Sequence, residues 1–198
     1  MEARSSHSWP LYARIVVVRQ KAGILQSRTK NICWAKTRLP VNVAREVFVC
    51  RKCGHCCQGK GGIALSDKDL GRLADHLETT VEKFIEEYAE ISNGKLKIRC
   101  GEDGYCVFFR AGTGCAAHVA KPDICRAWPY FRGNLEDPVS LDLAKDFCPG
   151  IKNDAGFAEF GRAGLAYLRE NNLVATDAKK GPNSLVIDIK AVMANWNE

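Results

Sequence analysis

Long apolar runs are missing from this 198-residue sequence. The N-terminal part offers only Ile15 to Val18 as an unbroken apolar segment, with Arg14 directly before it. Such a run is too short for the core of a secretory signal, and nowhere do about eighteen apolar residues follow one another as in a membrane span. We therefore expect a soluble, cytoplasmic protein without a membrane partner, in which thiols stay reduced.

Acidic residues are nearly absent from the first 45 residues, which hold Glu2 alone against nine Lys and Arg. The remaining chain has 20 basic and 22 acidic residues, a net of −2, so the overall charge of +6 belongs to the N-terminal part. That part also lacks a sustained helical or strand period, as is typical of a disordered arm. A nucleic-acid-binding tail and a transit peptide are the alternatives.

The length suits one domain with an extension. We expect residues 1–42 to be a basic, disordered N-terminal extension, or sequence upstream of a native start near Val41 or Val43. Residues 43–198 are expected to form a cysteine cluster metal-binding domain. Internal repeats and low-complexity tracts are missing, and the glycine-rich stretch Gln58 to Gly62 lacks the G-K-[ST] ending of a phosphate-binding loop.

Cysteine is in excess, with ten copies. Four lie within eight residues from Cys50 to Cys57, spaced as C-x2-C-x2-C-C. Spacings of two residues suit a metal ion or cluster, because a tight turn points both sulfurs inward and frees N–H groups to bond them. Disulfides are the alternative, but a ring between Cys56 and Cys57 would be strained. If both are ligands, they more naturally serve two neighbouring centres, or one ligates and the other packs behind it.

Local patterns predict an α+β fold, a small irregular single domain whose short strands and helices are stapled by the cysteine-ligated site. Ser66 is predicted to cap a helix to about Leu77, and Thr79-x-x-Glu82 to open a second through about Ile91. The predicted strands are Lys95 to Cys100, Tyr105 to Phe109, Val139 to Leu143 and Ser184 to Ile189. The other predicted helices begin at Lys121 and end before Pro129, run from Ala155 to about Asn171, and close the chain around Trp196.

A downstream segment reads Cys115-Ala-Ala-His118-Val-Ala-Lys121-Pro-Asp-Ile-Cys125-Arg126-Ala-Trp-Pro-Tyr130. Together with the C-x2-C-x2-C-C stretch and a Cys148-Pro-Gly turn, it resembles the CxxCxxCC family of YkgJ-like zinc- or iron-chelating cysteine cluster domains. The resemblance covers roughly Val47 to Ile151 and implies zinc or an iron–sulfur cluster as the cofactor. The metal ligands that it implies are Cys50, Cys53, Cys56, Cys57, Cys106, Cys115, Cys125 and Cys148.

The sequence departs from the family's pattern at His118, where an aromatic residue is usual, and at Lys121, where Arg usually precedes Pro. His118 and His55 are weaker candidate ligands. Arg126 either offsets thiolate charge or forms an ordinary ion pair. Cys33 and Cys100 lie outside the pattern. The aromatic residues Trp128, Tyr130 and Phe131 form either a wall of the site or plain core.

Three functions stay open. The first is a metal-binding protein whose clustered cysteines coordinate zinc or an iron–sulfur cluster. The second is an iron–sulfur-dependent redox or group-transfer enzyme, since some relatives resemble parts of iron–sulfur proteins that include a flagellin lysine methylase. The third is a zinc-knuckle-like nucleic-acid binder, which the net charge of −2 outside the basic arm disfavours. The pattern identifies no catalytic residue or protein partner, and soft thiolates suit several metals.

Overall fold

The computed structural model describes residues 47–59, 63–175 and 182–196. Helices alternate with short antiparallel strands in these stretches, which confirms the predicted α+β class. None of the helices that the structure describes has the length and apolar character to cross a membrane. The extension predicted over residues 1–42 and the isolated Cys33 lie outside the described residues, so the division into domains stays a prediction.

The elements follow one another in short pieces. The strands are β1 (Ile63–Ala64), β2 (Ala89–Ser92), β3 (Lys95–Ile98), β4 (Phe109–Arg110) and β5 (Gly114–Cys115). The helices are α1 (Asp67–His76), α2 (Val81–Tyr88), α3 (Asp123–Ala127), α4 (Arg132–Glu136), α5 (Pro138–Phe147), α6 (Phe157–Glu170) and α7 (Ile189–Ala194). Turns of 3-10 helix lie at His55–Cys57, His118–Ala120 and Asn183–Leu185.

Helix α1 begins where the sequence predicts. The Ser66 hydroxyl accepts from the Asp69 N–H at 3.2 Å, and the Asp69 carboxylate accepts from the Ser66 N–H at 3.0 Å. This reciprocal capping box satisfies two backbone donors at the helix N-terminus. Leu70 and Leu73, which share one face of α1, are buried.

Helix α2 differs from its prediction at both ends. Thr80, not Thr79, caps it by accepting from the Lys83 N–H at 3.3 Å. The helix ends at Tyr88, and the residues up to Ile91 that were predicted to be helical belong to β2. The reason is the turn that follows, because Asn93 and Gly94 both have positive φ, the geometry that returns one strand antiparallel to another. Pairing of β2 with β3 therefore replaces the last helical turn.

Strand β3 is central in a three-stranded antiparallel sheet of order β1-β3-β2. Ile98 lies opposite Ile63 on one side and Ala89 on the other. The sheet packs with α1 and α2 around the first of two hydrophobic clusters, here called the N-terminal cluster. Its buried members are Leu70, Leu73, Ala74, Phe84, Ala89, Ile98, Phe108, Ala117 and Ala120.

The strand predicted from Val139 to Leu143 is wrong, since these residues belong to α5. Asp137 caps the helix by accepting from the Val139 and Ser140 N–H groups, and a proline occupies the first turn. Leu141 is buried, whereas Val139 is 64% and Leu143 65% exposed. Five alternating residues fit a short strand by pattern alone, but the Asp-Pro start signal belongs to a helix.

The second hydrophobic cluster, here called the C-terminal cluster, is built mainly on α4, α5 and α6. Tyr130 is buried in it against Phe160, which supports the core interpretation for that aromatic residue. Trp196 closes the cluster, with its indole N–H donating to the Leu135 C=O at 3.0 Å. The other buried members include Leu141, Cys148, Ile151, Leu165, Leu168, Leu185 and Val192.

The strand predicted from Ser184 to Ile189 is also wrong. The chain forms the 3-10 turn Asn183–Leu185 and then α7. Asp188 caps α7 by accepting from the Lys190 and Ala191 N–H groups. An apolar run this short does not separate a strand from a buried turn, and here packing on the C-terminal cluster decides.

Candidate metal centre

The Cys50 to Cys57 stretch folds into a turn that ends in the 3-10 turn His55–Cys57. Lys52 and Gly54 within it have left-handed φ angles of 54° and 86°. They reverse the chain, so that the Cys57 N–H donates to the Gly54 C=O at 2.8 Å. Cys57 is half-buried, whereas the other three cysteines of the stretch are exposed.

Gly54 is required at its position for two reasons. Its φ angle disfavours any residue with a side chain, by about 1–2 kcal/mol, and a Cβ there would collide with the Phe109 ring. We expect Gly54→Ala to lower the free energy of unfolding by about 2 kcal/mol and to weaken metal binding, because the cysteine turn must shift. Denaturant titration, with and without metal, measures both effects.

Gly71 in α1 supplies the matched control, since a Cβ there would meet no heavy atom within 4 Å. Gly71→Ala should therefore stabilise the protein by about 0.5–1 kcal/mol, as alanine does in a helix interior. Equal effects of the two substitutions would show that the turn at Gly54 has no special conformational requirement.

A hairpin lies directly against the cysteine turn. Cys100, just beyond β3, pairs with Cys106 across it, and Gln58 pairs with Tyr105. The Cys106 N–H donates to the Cys57 C=O at 2.8 Å. These backbone bonds bring two further thiols beside the end of the C-x2-C-x2-C-C stretch.

Cys115 reaches the same region through β4 and β5. The strand predicted from Tyr105 to Phe109 is broken, because the Phe109 N–H folds back to the Cys106 C=O at 2.8 Å. The chain then forms a second hairpin, in which Phe109 of β4 lies opposite Cys115 of β5. Cys106 and Cys115 both pack against the N-terminal cluster.

Asp69 is a buried carboxylate that fixes the segment leading to Cys125. Its Oδ1 accepts from the Asp123 N–H at 2.8 Å and from the Arg72 guanidinium at 2.6 Å. Arg72 also donates to the Lys121 C=O at 2.7 Å and to the Asp123 carboxylate at 2.9 Å. The start of α3, the short helix predicted from the Lys-Pro signal, is thereby tied to α1.

Thiols from these separate segments influence one another's ionisation. Burial, and then the nearby Cys115, Cys100 and Cys56 thiols, raise the pKa of Cys106 to about 11. Burial, followed by Cys106, Cys56 and Cys115, also raises the pKa of Cys125. Like charges disfavour one another only at short range, so these sulfurs lie in one neighbourhood.

Cysteines of the Cys50 to Cys57 stretch interact electrostatically with these thiols. The pKa of Cys56 is raised first by a hydrogen bond with Cys57 and then by burial of its sulfur, although the residue as a whole is exposed. The pKa of Cys115 is raised by burial, with Cys56 and Cys50 adding to the effect. Cys53 lies on the exposed side of the same turn.

The positive charge of Lys121 opposes the rise in the pKa of these thiols. Its charge lowers the pKa of Cys56, Cys115 and Cys125, in each case against the larger effects that raise it. The departure from the family's usual Arg at this position therefore keeps the positive charge. The sequence alone offers Arg126 for this role.

Arg126 has other partners. Its guanidinium lies 3.3 Å from the Asp123 carboxylate and donates to the Asn171 side-chain oxygen at 3.3 Å. The ordinary ion pair is thus the alternative that the structure favours for this residue.

The sequence model of the CxxCxxCC family, described as "Putative zinc- or iron-chelating domain", matches residues 49–149, just over half of the chain. The chain belongs to the CxxCxxCC family. All eight predicted ligands fall inside the matched range, and so does Cys100. The predicted resemblance is therefore confirmed, together with a family-level description as a zinc or iron chelator.

One curated relative of this CxxCxxCC protein is an uncharacterized protein of Methanocaldococcus jannaschii. The two are 28% identical over 96 residues, which make up 48% of this chain and 51% of the relative. The chain thus spans about half the length of that relative. No solved structure matches the chain significantly.

The thiols of the CxxCxxCC domain lie close together, but their side chains are not oriented as metal ligands. In the part of the chain that the structure describes, no three Cys, His, Asp or Glu side chains stand in an arrangement that could hold a metal ion. Cys56 shares a hydrogen bond with Cys57, and the Cys100 thiol donates to the Gly59 C=O at 3.2 Å. A thiolate cannot donate, so ligation by both Cys56 and Cys57 would have to replace the first bond, and ligation by Cys100 the second. The soft donor set itself fits zinc and iron–sulfur clusters.

Cys148 lies next to a residue that contacts the CxxCxxCC turn. It is buried in the C-terminal cluster and follows α5 directly. The C=O of its neighbour Phe147 lies 2.7 Å from Nδ1 of His55, which must donate because a carbonyl oxygen only accepts. When the His55 ring is neutral, Nε2 therefore carries the free lone pair, the tautomer that metal-binding histidines use.

His118, the departure from the family's aromatic residue, has a buried Nε2 without a hydrogen-bond partner. Burial lowers the pKa of its ring, and the nearby Lys121 and Lys52 lower it further. The ring is thus held neutral at ordinary pH. The indole N–H of Trp128 is likewise buried without a partner.

Proposed function

We propose that this CxxCxxCC protein binds a metal through its clustered cysteines, which hold zinc or an iron–sulfur cluster. The observation that carries the proposal is the convergence of thiols from four separate segments. The cysteine turn, the hairpin, β5 and α3 each bring at least one sulfur into mutual electrostatic range. A structural fold without ligands has no reason to bring so many desolvated thiols together, since each could be replaced by a small apolar residue.

The implied ligands would act as thiolates. Because the pKa values of Cys56, Cys106, Cys115 and Cys125 are raised, these four thiols are protonated at neutral pH without metal, and binding must release their protons. Four thiolates around a divalent ion leave a net charge of −2, which Lys121 partly offsets. Zinc would supply cross-linking without redox chemistry, whereas an iron–sulfur cluster would also supply electron transfer. The ligands assigned by the family's motif are Cys50, Cys53, Cys56, Cys57, Cys106, Cys115, Cys125 and Cys148.

Metal content under anaerobic conditions is the direct test. We expect protein purified without oxygen to contain either zinc, at about one or two ions per chain, or iron matched by acid-labile sulfide. Visible absorption distinguishes the two, since only a cluster is coloured. The double variant C106S/C125S should lose the metal, and C33S, which removes a thiol outside the family's pattern, should retain it.

One result of the metal analysis would contradict the proposal. Wild-type protein that contains neither zinc nor iron, and that takes up neither after reconstitution with zinc or with ferrous iron and sulfide, would contradict the proposal. Zinc content would direct the search for function towards binding partners, and a cluster would direct it towards redox or group-transfer chemistry.

A further inference from the structure

Cys100 lies outside the family's cysteine pattern, yet it faces Cys106 across the hairpin. The Val107 N–H donates to the Arg99 C=O at 3.1 Å, and the Gly101 N–H donates to the Tyr105 C=O at 2.7 Å. These two bonds flank the cysteines, which therefore form a non-hydrogen-bonded antiparallel pair. In such pairs the Cα atoms are about 4.5 Å apart and both side chains lie on one face.

That face borders a cavity of about 160 Å³, which is also lined by Cys56 and Cys57. Ile63 and Ile98 line it as well, so thiols and apolar carbons surround the space. The hydrogen bond between the Cys106 N–H and the Cys57 C=O fixes the hairpin against the turn. A volume of this size exceeds that of one water molecule several-fold.

Adjacent Cys56 and Cys57 cannot easily bind one tetrahedral ion together, so the thiols divide into two groups. Cys56 borders the cavity as well, but Cys115 and Cys125 are not among its lining residues. Cys57 lines the cavity with Cys100 and Cys106. The two groups meet at the Cys56-Cys57 peptide.

We propose that Cys100 is a ninth metal-binding thiol, which, after a rearrangement of the side chains, forms with Cys57 and Cys106 a second site for a thiophilic metal ion. This site lies beside the centre that the other cysteines of the family's motif would form. The inference rests on the proposed function, because it adds a site to the same cysteine cluster. It assigns to Cys100 a role that the family's motif does not.

Cadmium is the probe, because it favours thiolate ligands and its ultraviolet charge-transfer absorption grows with each thiolate that binds. Metal-free wild-type, Cys100→Ser and Cys33→Ser proteins are titrated with cadmium without oxygen. We expect Cys100→Ser to lose one binding step or to weaken it at least ~10-fold, with a smaller absorption at saturation. Cys33→Ser, which removes a thiol outside the family match, should keep every binding step and the full absorption at saturation.

The serine substitution preserves the structural role of Cys100, since its hydroxyl can still donate to the Gly59 C=O. Circular dichroism and the melting temperature of the metal-free protein check that the fold is intact. Should Cys100→Ser fail to fold, alkylation of wild-type protein followed by peptide mass spectrometry gives the answer. Cys100 and Cys106 should become protected at the same cadmium ratio.

Two results would overturn the inference, and each differs from failure of the proposed function. Cys100→Ser that titrates like Cys33→Ser, or Cys100 that alkylates as fast with saturating cadmium as without it, would remove Cys100 from the site. In both cases the wild type would still bind cadmium through the other cysteines. Wild-type protein that binds no cadmium at all would overturn both proposals together.

Discussion

Removal of the metal from the holoprotein is expected to lower its melting temperature by about 10 °C. The proposed ligands come from the cysteine turn, the hairpin, β5 and α3, so a bound metal would join segments that otherwise depend on short elements. A ligand present at about 1,000 times its dissociation constant stabilises by about 4 kcal/mol, and 1 kcal/mol shifts the melting of a chain of this size by about 2–4 °C. Calorimetry with and without a chelator measures the difference.

The double variant C106S/C125S is the control, because it lacks two of the proposed ligands. Its melting temperature should not respond to the chelator, and return of metal should restore the wild type alone. A wild-type melting temperature that is unchanged after complete removal of the metal would show that the fold does not depend on the site.

Asp69→Ala is expected to cost about 3 kcal/mol of unfolding free energy. Asp69 is only 3% exposed, and its carboxylate accepts from the Ser66 N–H, the Ser66 hydroxyl, Arg72 and the Asp123 N–H. Its loss would leave buried donors without a partner, the circumstance in which a broken ion pair is most costly. Metal affinity should fall as well, because the segment leading to Cys125 loses its anchor on α1.

Asp142→Ala provides the comparison. Asp142 also forms a helical ion pair, with Lys145 at 3.3 Å, but its side chain is 74% exposed. Removal of such a pair should change the stability by less than about 0.5 kcal/mol and leave metal binding intact. Urea denaturation of both variants measures the contrast, and equal costs would show that the Asp69 network contributes no more than a surface pair.

Local sequence signals predicted elements well where a cap and a period agreed. Helix α1 is capped by the predicted Ser66 and ends at His76, one residue before the predicted Leu77. Where a short alternating run stood alone, as at Val139 to Leu143, the pattern was ambiguous. The Asp137 cap and burial of Leu141 against the C-terminal cluster decided for a helix.

The sequence by itself determined the family and the soft chemistry of the site, because two-residue cysteine spacings restrict a chain to a tight turn whatever surrounds it. Only the tertiary structure decided which distant groups meet that turn. It brought Cys100 beside Cys106, brought the charge of Lys121 to bear on the thiols, and directed His55 to the Phe147 carbonyl. These contacts arise from strand register and packing between segments, and no local spacing encodes them.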